Sequence, residues 1–181
     1  MTRQGKPVNT LSQKHYTILH EESGISDDII AARGYRTITH SKELLDLNFS
    51  PKQSNNVPGM LLPVCTPYGG NSLYTYRPDL PRVVEDRRKG NPDGTYKQRI
   101  IKYEIPKDAG MRLDCSLLCR PQLEDPSVTL WLTEGQKKAD TLASHSLCAV
   151  DILGVWNFKG KNRIGGVALL ADFDDIVNLP R

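Results

Sequence analysis

The pattern of apolar and polar positions is most informative between residues 128 and 147. Residues 128–133 are apolar or β-branched and predict a buried strand. Gly135 interrupts this run, and apolar residues then recur at helical spacing, at Ala139, Leu142, Ala143 and Leu147. The segment therefore predicts a strand, a turn and a helix, with Glu134 at the junction where the strand ends and the helix begins.

The remaining pattern predicts short helices and strands along the whole chain. Helices are predicted over residues 11–22, 26–34 and 41–47, the second capped by Ser26 and ended by Gly34. Strands are predicted over 35–39, 60–66, 72–77, 99–105, 147–153 and 167–170, and the Gly-Gly-Asn turn between 60–66 and 72–77 predicts a β-hairpin. Composition indicates loop or linker at 50–58, 81–97 and 108–126.

These elements predict an α+β fold with two units. Residues 1–125 form small helices and an antiparallel hairpin sheet, with an excess of basic residues. Residues 126–181 form an α/β unit, in which strand 147–153 lies parallel to strand 128–133 if the helix between them is a right-handed crossover. The N-terminal helices could also read nucleic acid, although such clusters are more often packing units.

Composition is that of an ordinary globular chain. It has 181 residues, 38% hydrophobic and 25% charged, with a formal net charge of +3 that permits nucleic acid as a partner without requiring it. No apolar run is long enough to span a membrane, and the four scattered cysteines predict neither a disulfide framework nor a zinc site. We therefore expect a cytoplasmic protein. The histidines form no recognisable catalytic group, and there is no Walker-type phosphate loop.

Glu134 is the leading candidate for a functional residue. In open α/β sheets, ligands bind where strand ends and free helical N–H groups converge. A carboxylate there can hold a metal ion that neutralises a phosphate. Lys137 and Lys138, in the first helical turn, oppose the helix dipole and are better explained by an anionic partner. The alternative is an ordinary strand–turn–helix in which Glu134 is simply a solvent-exposed carboxylate at the turn.

A second candidate stretch is Arg77-Pro78-Asp79-Leu80-Pro81-Arg82. Its prolines fix the backbone, arginine suits bidentate binding of phosphate, and Asp79 can orient Arg77 or Arg82. An Arg77–Asp79 pair that merely holds a turn is the alternative. From Arg82 to Lys102 there are seven Lys/Arg and three Asp/Glu, so a flexible basic loop could contact a phosphate backbone or be simply solvated.

The run Leu132-Thr133-Glu134-Gly135, followed by the helix with Lys137, Lys138 and Asp140, resembles the opening of the TOPRIM domain of primases and topoisomerases. More closely, the chain resembles an uncharacterised TOPRIM-like domain at the N-terminus of plasmid and phage replication proteins of primase–helicase type. The matching segments are 26–37, 76–82, 102–103, 130–143, 154–157 and 170–174.

The resemblance implies a metal-binding glutamate, Glu134, with Mg²⁺ as the cofactor. It also implies a basic face opposite the metal site, with Arg77, Arg82 and the pair Lys102-Tyr103, in which Tyr103 is an orienting residue. The implied partner is single-stranded or duplex DNA, with replication proteins as further candidates.

Two predictions conflict near the end of the sequence. A short apolar run precedes Asp172 and Asp174, so spacing suggests them as the acidic pair that completes the metal site. The closer resemblance implies that this element starts a helix or loop and that the metal-binding pair follows Arg181. On that interpretation, which we favour, the chain alone is catalytically incomplete because phosphoryl transfer usually needs several carboxylates around two metal ions.

Three functions are consistent with the sequence. The first is a primase-like, nucleic-acid-binding domain of a mobile element. The second is a stand-alone phage or plasmid protein that binds or inhibits without catalysis. The third is a small Mg²⁺-dependent phosphoryl-transfer enzyme that uses Glu134, Asp172 and Asp174.

Overall fold

The computed structural model describes residues 11–67, 69, 71–161 and 164–177. Its helices are α1 (Gln13–His20), α2 (Asp27–Arg33), α3 (Ser41–Asp46), α4 (Pro51–Ser54), α5 (Gln136–Ser144) and α6 (Asp172–Val177), with a 3₁₀ turn at Arg120–Glu124. Its strands are β1 (Arg36–Ile38), β2 (Gly59–Cys65), β3 (Asn71–Pro78), β4 (Arg82–Gly90), β5 (Tyr96–Ile101), β6 (Leu113–Cys115), β7 (Trp131–Glu134), β8 (Ala149–Ile152), β9 (Lys159–Lys161) and β10 (Val167–Leu169). The predicted α+β class is confirmed.

The first sheet is antiparallel in the order β1-β2-β3 and contains the predicted hairpin. Every residue of β2 is buried because helices cover both of its faces. Met60 and Leu62 pack with α1 and α2, whereas Leu61, which points the other way, packs with Leu44 of α3. The three predicted N-terminal helices are confirmed, and Gly34 ends α2 in the left-handed conformation.

The second sheet has the order β6-β8-β7, with β7 parallel and β6 antiparallel to β8. The predicted parallel pair joined by α5 is therefore confirmed, and β8 is its buried central strand. The predicted burial of the strand over residues 128–133, which the structure has as β7, is wrong. Because β7 lies at the edge of the sheet, Trp131 is 47% exposed and Leu132 is 56% exposed.

Three segments predicted as loop or linker contain regular structure. Residues 51–54 form α4, since Ser50 and Gln53 make a reciprocal capping box at its start. Residues 108–126 contain β6, which is wholly buried. The basic segment 81–97 is mostly strand β4, which pairs with β5 in a separate two-stranded ribbon. The predicted strand 99–105 belongs to this ribbon only as far as Ile101.

Helix α5 connects the two sheets. Gln136 is buried, and its side chain accepts a hydrogen bond from Thr75 Oγ1 (2.5 Å) and donates one to the carbonyl oxygen of Pro63 (2.9 Å). One turn later, Asp140 pairs with Arg33 of α2. Strand β6 also pairs with β8 across the predicted boundary between residues 125 and 126, and that boundary stays a prediction. None of the helices in the described part of the chain is long and apolar enough to cross a membrane.

Candidate functional site

An open cleft of about 590 Å³ lies between the start of α5 and the first sheet. Its walls include Leu62 and Thr75 from the first sheet, and Leu153 and Gly154 from the end of β8. Its charged and aromatic lining residues are Lys102, Tyr103, Glu134, Lys137 and Lys138. The structure thus gathers in one place five of the residues that the sequence suggested as functional.

The junction of β7 and α5 places Glu134 and the two lysines at this cleft. Gly135 has φ 93°, a conformation that favours glycine, and its N–H donates to the carbonyl oxygen of Ile152 on β8. The chain therefore turns sharply at the carboxyl end of the parallel pair. The N–H of Lys138 donates to the carbonyl oxygen of Gly135 at 3.0 Å, and the N–H groups before it lie at the positive end of the helix dipole, so this end of α5 favours an anion.

Lys137 is partly buried and lies near a second cation, Arg77. Its ammonium donates a hydrogen bond to Ser23 Oγ at 2.9 Å. Burial lowers its pKa, the positive charge of Arg77 lowers the pKa further, and Glu22 only partly opposes these effects. The charged form of Lys137 is thus less stable here than in water, which is the condition that a bound anion would relieve.

Arg77, at the end of β3, adds a second cation that is not balanced. Its Nη1 atom is buried and has no hydrogen-bond partner among the described residues. Buried guanidinium nitrogens are normally paired, because each unsatisfied donor costs about 1–3 kcal/mol. Tyr103 lies near the same charge: burial raises the pKa of its hydroxyl, and Arg77 opposes that rise. Arg77, Lys137 and Tyr103 therefore form one electrostatic group beside the cleft.

Asp79 and Arg82 are held by other partners. Asp79 accepts hydrogen bonds from Lys14 Nζ (2.6 Å) and His15 Nε2 (2.8 Å) on α1. Burial raises the pKa of Asp79, but these two partners outweigh it and lower the pKa overall. The ion pairs of Asp79 thus hold α1 in place, and its predicted role of orienting an arginine stays a prediction.

Arg82 makes a bidentate pair with the buried carboxylate of Glu104, from Nε at 2.6 Å and from Nη2 at 2.8 Å. Gln53 donates a third hydrogen bond to the same carboxylate. This geometry indicates a structural role, with the guanidinium directed at Glu104. Its predicted contact with nucleic acid stays a prediction.

Asp172 does not line the cleft that holds Glu134. It is buried at the start of α6, where Arg112 donates to both of its carboxylate oxygens and the N–H of Leu113 donates at 2.8 Å. Asp174 is exposed on α6. Within the described residues, no group of three or more His, Cys, Asp or Glu is placed to hold a metal ion. The described donors thus do not complete a Mg²⁺ site around Glu134.

Sequence reasoning missed two supporting residues, Gln136 and Asp140. Both are buried polar residues of α5, four positions apart, on the face that also carries Ala139. Polar residues on an otherwise apolar helical face were the available signal, because a buried polar group needs a partner elsewhere in the fold. Their partners lie more than sixty residues away in the sequence, so spacing alone did not identify them.

Comparison with known proteins gives a likeness of fold. The family model of a domain of unknown function, DUF3854, matches residues 121–172, which include β7, α5 and β8. No curated protein matches the sequence. Among solved structures, the chain is similar to the primase of Aquifex aeolicus (zinc-binding and RNA polymerase domains), with a TM-score of 0.52 and 17% identity over 79% of this chain and 37% of that chain. A DnaG catalytic core is similar at a TM-score of 0.50 and 18% identity, over 82% of this chain and 49% of that chain.

These similarities show that the chain has a primase-like α+β fold. The chain spans between about a third and a half of the length of the solved structures that it matches.

Proposed function

We propose that this chain is a nucleic-acid-binding domain of a replication protein, of primase-like type, and that the cleft at the start of α5 holds phosphates of a DNA strand. The convergence of Lys102, Lys137 and Lys138 on this cleft, with Arg77 near Lys137, supports the proposal. The most telling observation is that Arg77 and Lys137 lie near one another while Arg77 Nη1 lacks a hydrogen-bond partner within the described structure.

A phosphate would satisfy both cations. Arginine and lysine form charge-assisted hydrogen bonds to phosphate oxygens, and arginine can do so in a bidentate manner. The anion would accept from Arg77, stabilise the charged form of Lys137 and lie at the N-terminal end of α5. The cleft thus combines the electrostatic attraction of its basic residues for phosphate with hydrogen-bond donors that the fold holds in place.

Two aromatic side chains could hold bases beside such a strand. Tyr103 lines the cleft and is 42% exposed, and Trp156 is 77% exposed two residues after Gly154, which also lines the cleft. The exposure of Trp156 argues against a core role. Stacking of bases on exposed aromatic rings is largely independent of sequence, so we infer binding of single-stranded DNA with little sequence preference.

We infer that primer synthesis or a related phosphoryl transfer is the activity such a domain serves in a mobile-element replication protein. Glu134 would supply one oxygen ligand to Mg²⁺. Phosphoryl transfer usually needs further carboxylates, and the described residues do not gather them around Glu134. We therefore propose binding of DNA, rather than catalysis, as the function of this chain.

Binding of a fluorescein-labelled single-stranded oligonucleotide, followed by anisotropy over a range of salt concentrations, tests the proposal. The double variant Lys137→Ala/Lys138→Ala should bind at least about tenfold more weakly, and its salt slope should fall by about 1.4, since each contact to a single strand contributes about 0.7. Lys42→Ala/Lys52→Ala removes two exposed lysines of α3 and α4 and serves as the matched control. Equal binding by the two double variants would reject the cleft as the binding site.

A further inference from the structure

The two-stranded ribbon of β4 and β5 is exposed on one face, which carries Val83, Glu85 and Arg87, and only partly covered on the other, where Val84 and Asp86 are half-buried. Its strands pair antiparallel from Arg82 opposite Ile101 to Gly90 opposite Tyr96. No side chain described for either strand is buried, and even the apolar pair Val83 and Ile100 is 55% and 58% exposed. An isolated two-stranded ribbon contributes little to stability, so its exposure suggests a role in binding.

Charge is concentrated on this ribbon. Residues 82–101 contain six Lys/Arg and three Asp/Glu, a net charge of +3, which equals the formal net charge of the whole chain. Arg87, Lys97 and Arg99 are exposed. The register shifts between Asp86 and Gly90, and the basic run Arg87-Arg88-Lys89 falls in this shift. The ribbon thus carries the positive excess of the protein away from its body.

The ribbon has a defined tip and a fixed base. At the tip, the N–H of Asn91 donates to the carbonyl oxygen of Thr95 at 2.7 Å, and Asp93 Oδ1 accepts from the N–H of Thr95 at 3.0 Å. At the base, Arg82 is anchored to the buried Glu104. Both ends are ordered by hydrogen bonds before any partner arrives, which lowers the entropic cost of binding.

We propose that this ribbon is an arm that binds double-stranded DNA. A two-stranded ribbon fits the major groove of B-form DNA, which is about 12 Å wide, and the six residues of β5 extend about 20 Å at about 3.4 Å per residue. Arg87 and Arg99 would contact the phosphates on the walls of the groove. This surface lies outside the cleft, so the arm is a second site that does not depend on the function proposed for the first.

Duplex DNA suits the arm better than a single strand does. Binding of single strands relies on aromatic platforms, whereas Tyr96 is the one aromatic residue in the sequence of the arm. The major groove of an A-form RNA helix is too deep and narrow for such an element to enter. The arm offers charge and a preformed shape, which are the features that bind the backbone of B-form DNA without base contacts.

The double variant Arg87→Gln/Arg99→Gln tests the arm, with a 20-base-pair DNA duplex and a 20-base single strand as separate probes in anisotropy. We expect duplex affinity to fall at least about tenfold and the salt slope to fall by about 1.8, as two phosphate contacts on B-form DNA predict. Affinity for the single strand should change less than about twofold, because the arm makes no phosphate contacts to a strand that lies in the cleft.

The matched control is Arg36→Gln/Lys42→Gln, which removes the same charge from β1 and α3, away from the arm. Lack of duplex binding by the wild type, or an equal loss in the control and the arm variant, would overturn the proposal. An equal loss of single-strand and duplex binding in the arm variant would also overturn it, because the arm would then not be a duplex site. The cleft variant Lys137→Ala/Lys138→Ala should lose single-strand binding while it keeps duplex binding, so failure of one site is distinguishable from failure of the other.

Discussion

Helix α5 contributes Asp140 to one group of charged residues and Lys137 to another, and the two groups differ in how their charge is balanced. In the interior, Arg33 donates to Asp140 (Nη2 at 2.5 Å) and to Asp114 (Nη1 at 2.6 Å), and all three side chains are buried. Beside the cleft, Arg77 Nη1 has no hydrogen-bond partner among the described residues, and burial together with the charge of Arg77 lowers the pKa of Lys137.

The difference indicates which charges serve folding and which serve a partner. The interior arginine lies between carboxylates that also accept hydrogen bonds from the hydroxyl of Tyr35 and the N–H of Cys65. Both carboxylate oxygens of Asp140 and Oδ1 of Asp114 are thus paired, as a buried ion group requires, whereas Asp114 Oδ2 has no hydrogen-bond partner among the described residues. The cationic cleft lacks such internal compensation and therefore suits an anion from outside.

The largest expected effect comes from breaking the interior group. Replacement Arg33→Met leaves Asp114 and Asp140 buried without their cation, and removal of one partner from a buried pair costs about 3–5 kcal/mol. The free energy of unfolding in urea measures this loss. Arg36→Met is the control, since Arg36 is 37% exposed and 3.9 Å from Glu43. Its loss should be less than about 1 kcal/mol, and a similar loss in both variants would contradict the comparison.

A second effect appears in the dependence of stability on pH. Asp151 lies opposite Asp114 on the paired strands β8 and β6, and its carboxyl oxygens have no hydrogen-bond partner within the described structure. Burial raises the pKa of Asp151 well above its usual value, and the charge of Asp114 raises it further. The folded state therefore keeps a proton that the unfolded state releases, and it loses stability as pH rises from the ordinary carboxyl range to the raised pKa.

Replacement Asp151→Asn should remove that dependence, because the amide stays neutral and can donate to Asp114. Within that window the wild type should lose up to about 1.4 kcal/mol per pH unit through this group, and the variant should show a flatter curve. Urea unfolding at several pH values measures both curves. Asp46→Asn, at an exposed position of α3, should leave the slope unchanged. Parallel curves for wild type and Asp151→Asn would contradict the account.

The smallest effect concerns the pH dependence of binding in the cleft. Burial and Arg77 lower the pKa of Lys137, so this lysine loses its proton at a lower pH than an exposed lysine does. A bound phosphate would raise the pKa again, so binding takes up a proton and weakens as pH rises through the lowered pKa. Arginine stays protonated throughout. Lys137→Arg should therefore bind a single strand with a smaller loss than the wild type, by a few-fold, as pH rises above neutrality. A loss equal to that of the wild type would show that Lys137 does not contact the anion.

Local pattern predicted much of the fold but not the contacts between distant segments. The hairpin of β2 and β3 and the unit β7-α5-β8 follow from apolar periodicity and from Gly135, which all lie within short stretches. The exposure of β7 and the pairing of β6 with β8 depend on the order of strands in the sheet, and the period of a single strand does not contain that order.

The candidate site was predicted only in part, because local pattern locates neighbouring residues but not contacts between distant ones. Glu134, Lys137 and Lys138 are neighbours in sequence and lie at one helix start, so a local motif located them. Asp79 looked like a site residue because it could orient an arginine, and Arg82 because arginine suits phosphate binding. Their partners, His15 and Glu104, lie 64 and 22 positions away and became visible only in the folded chain.

Chemical protection of lysines tests the central claim most directly. The protein is acetylated briefly with and without a single-stranded oligonucleotide, and mass spectrometry reports the modification of each lysine. The account predicts that the oligonucleotide protects Lys102, Lys137 and Lys138, which line the cleft, and leaves the exposed Lys42 and Lys52 unchanged. Equal modification of the three cleft lysines with and without bound oligonucleotide would contradict it.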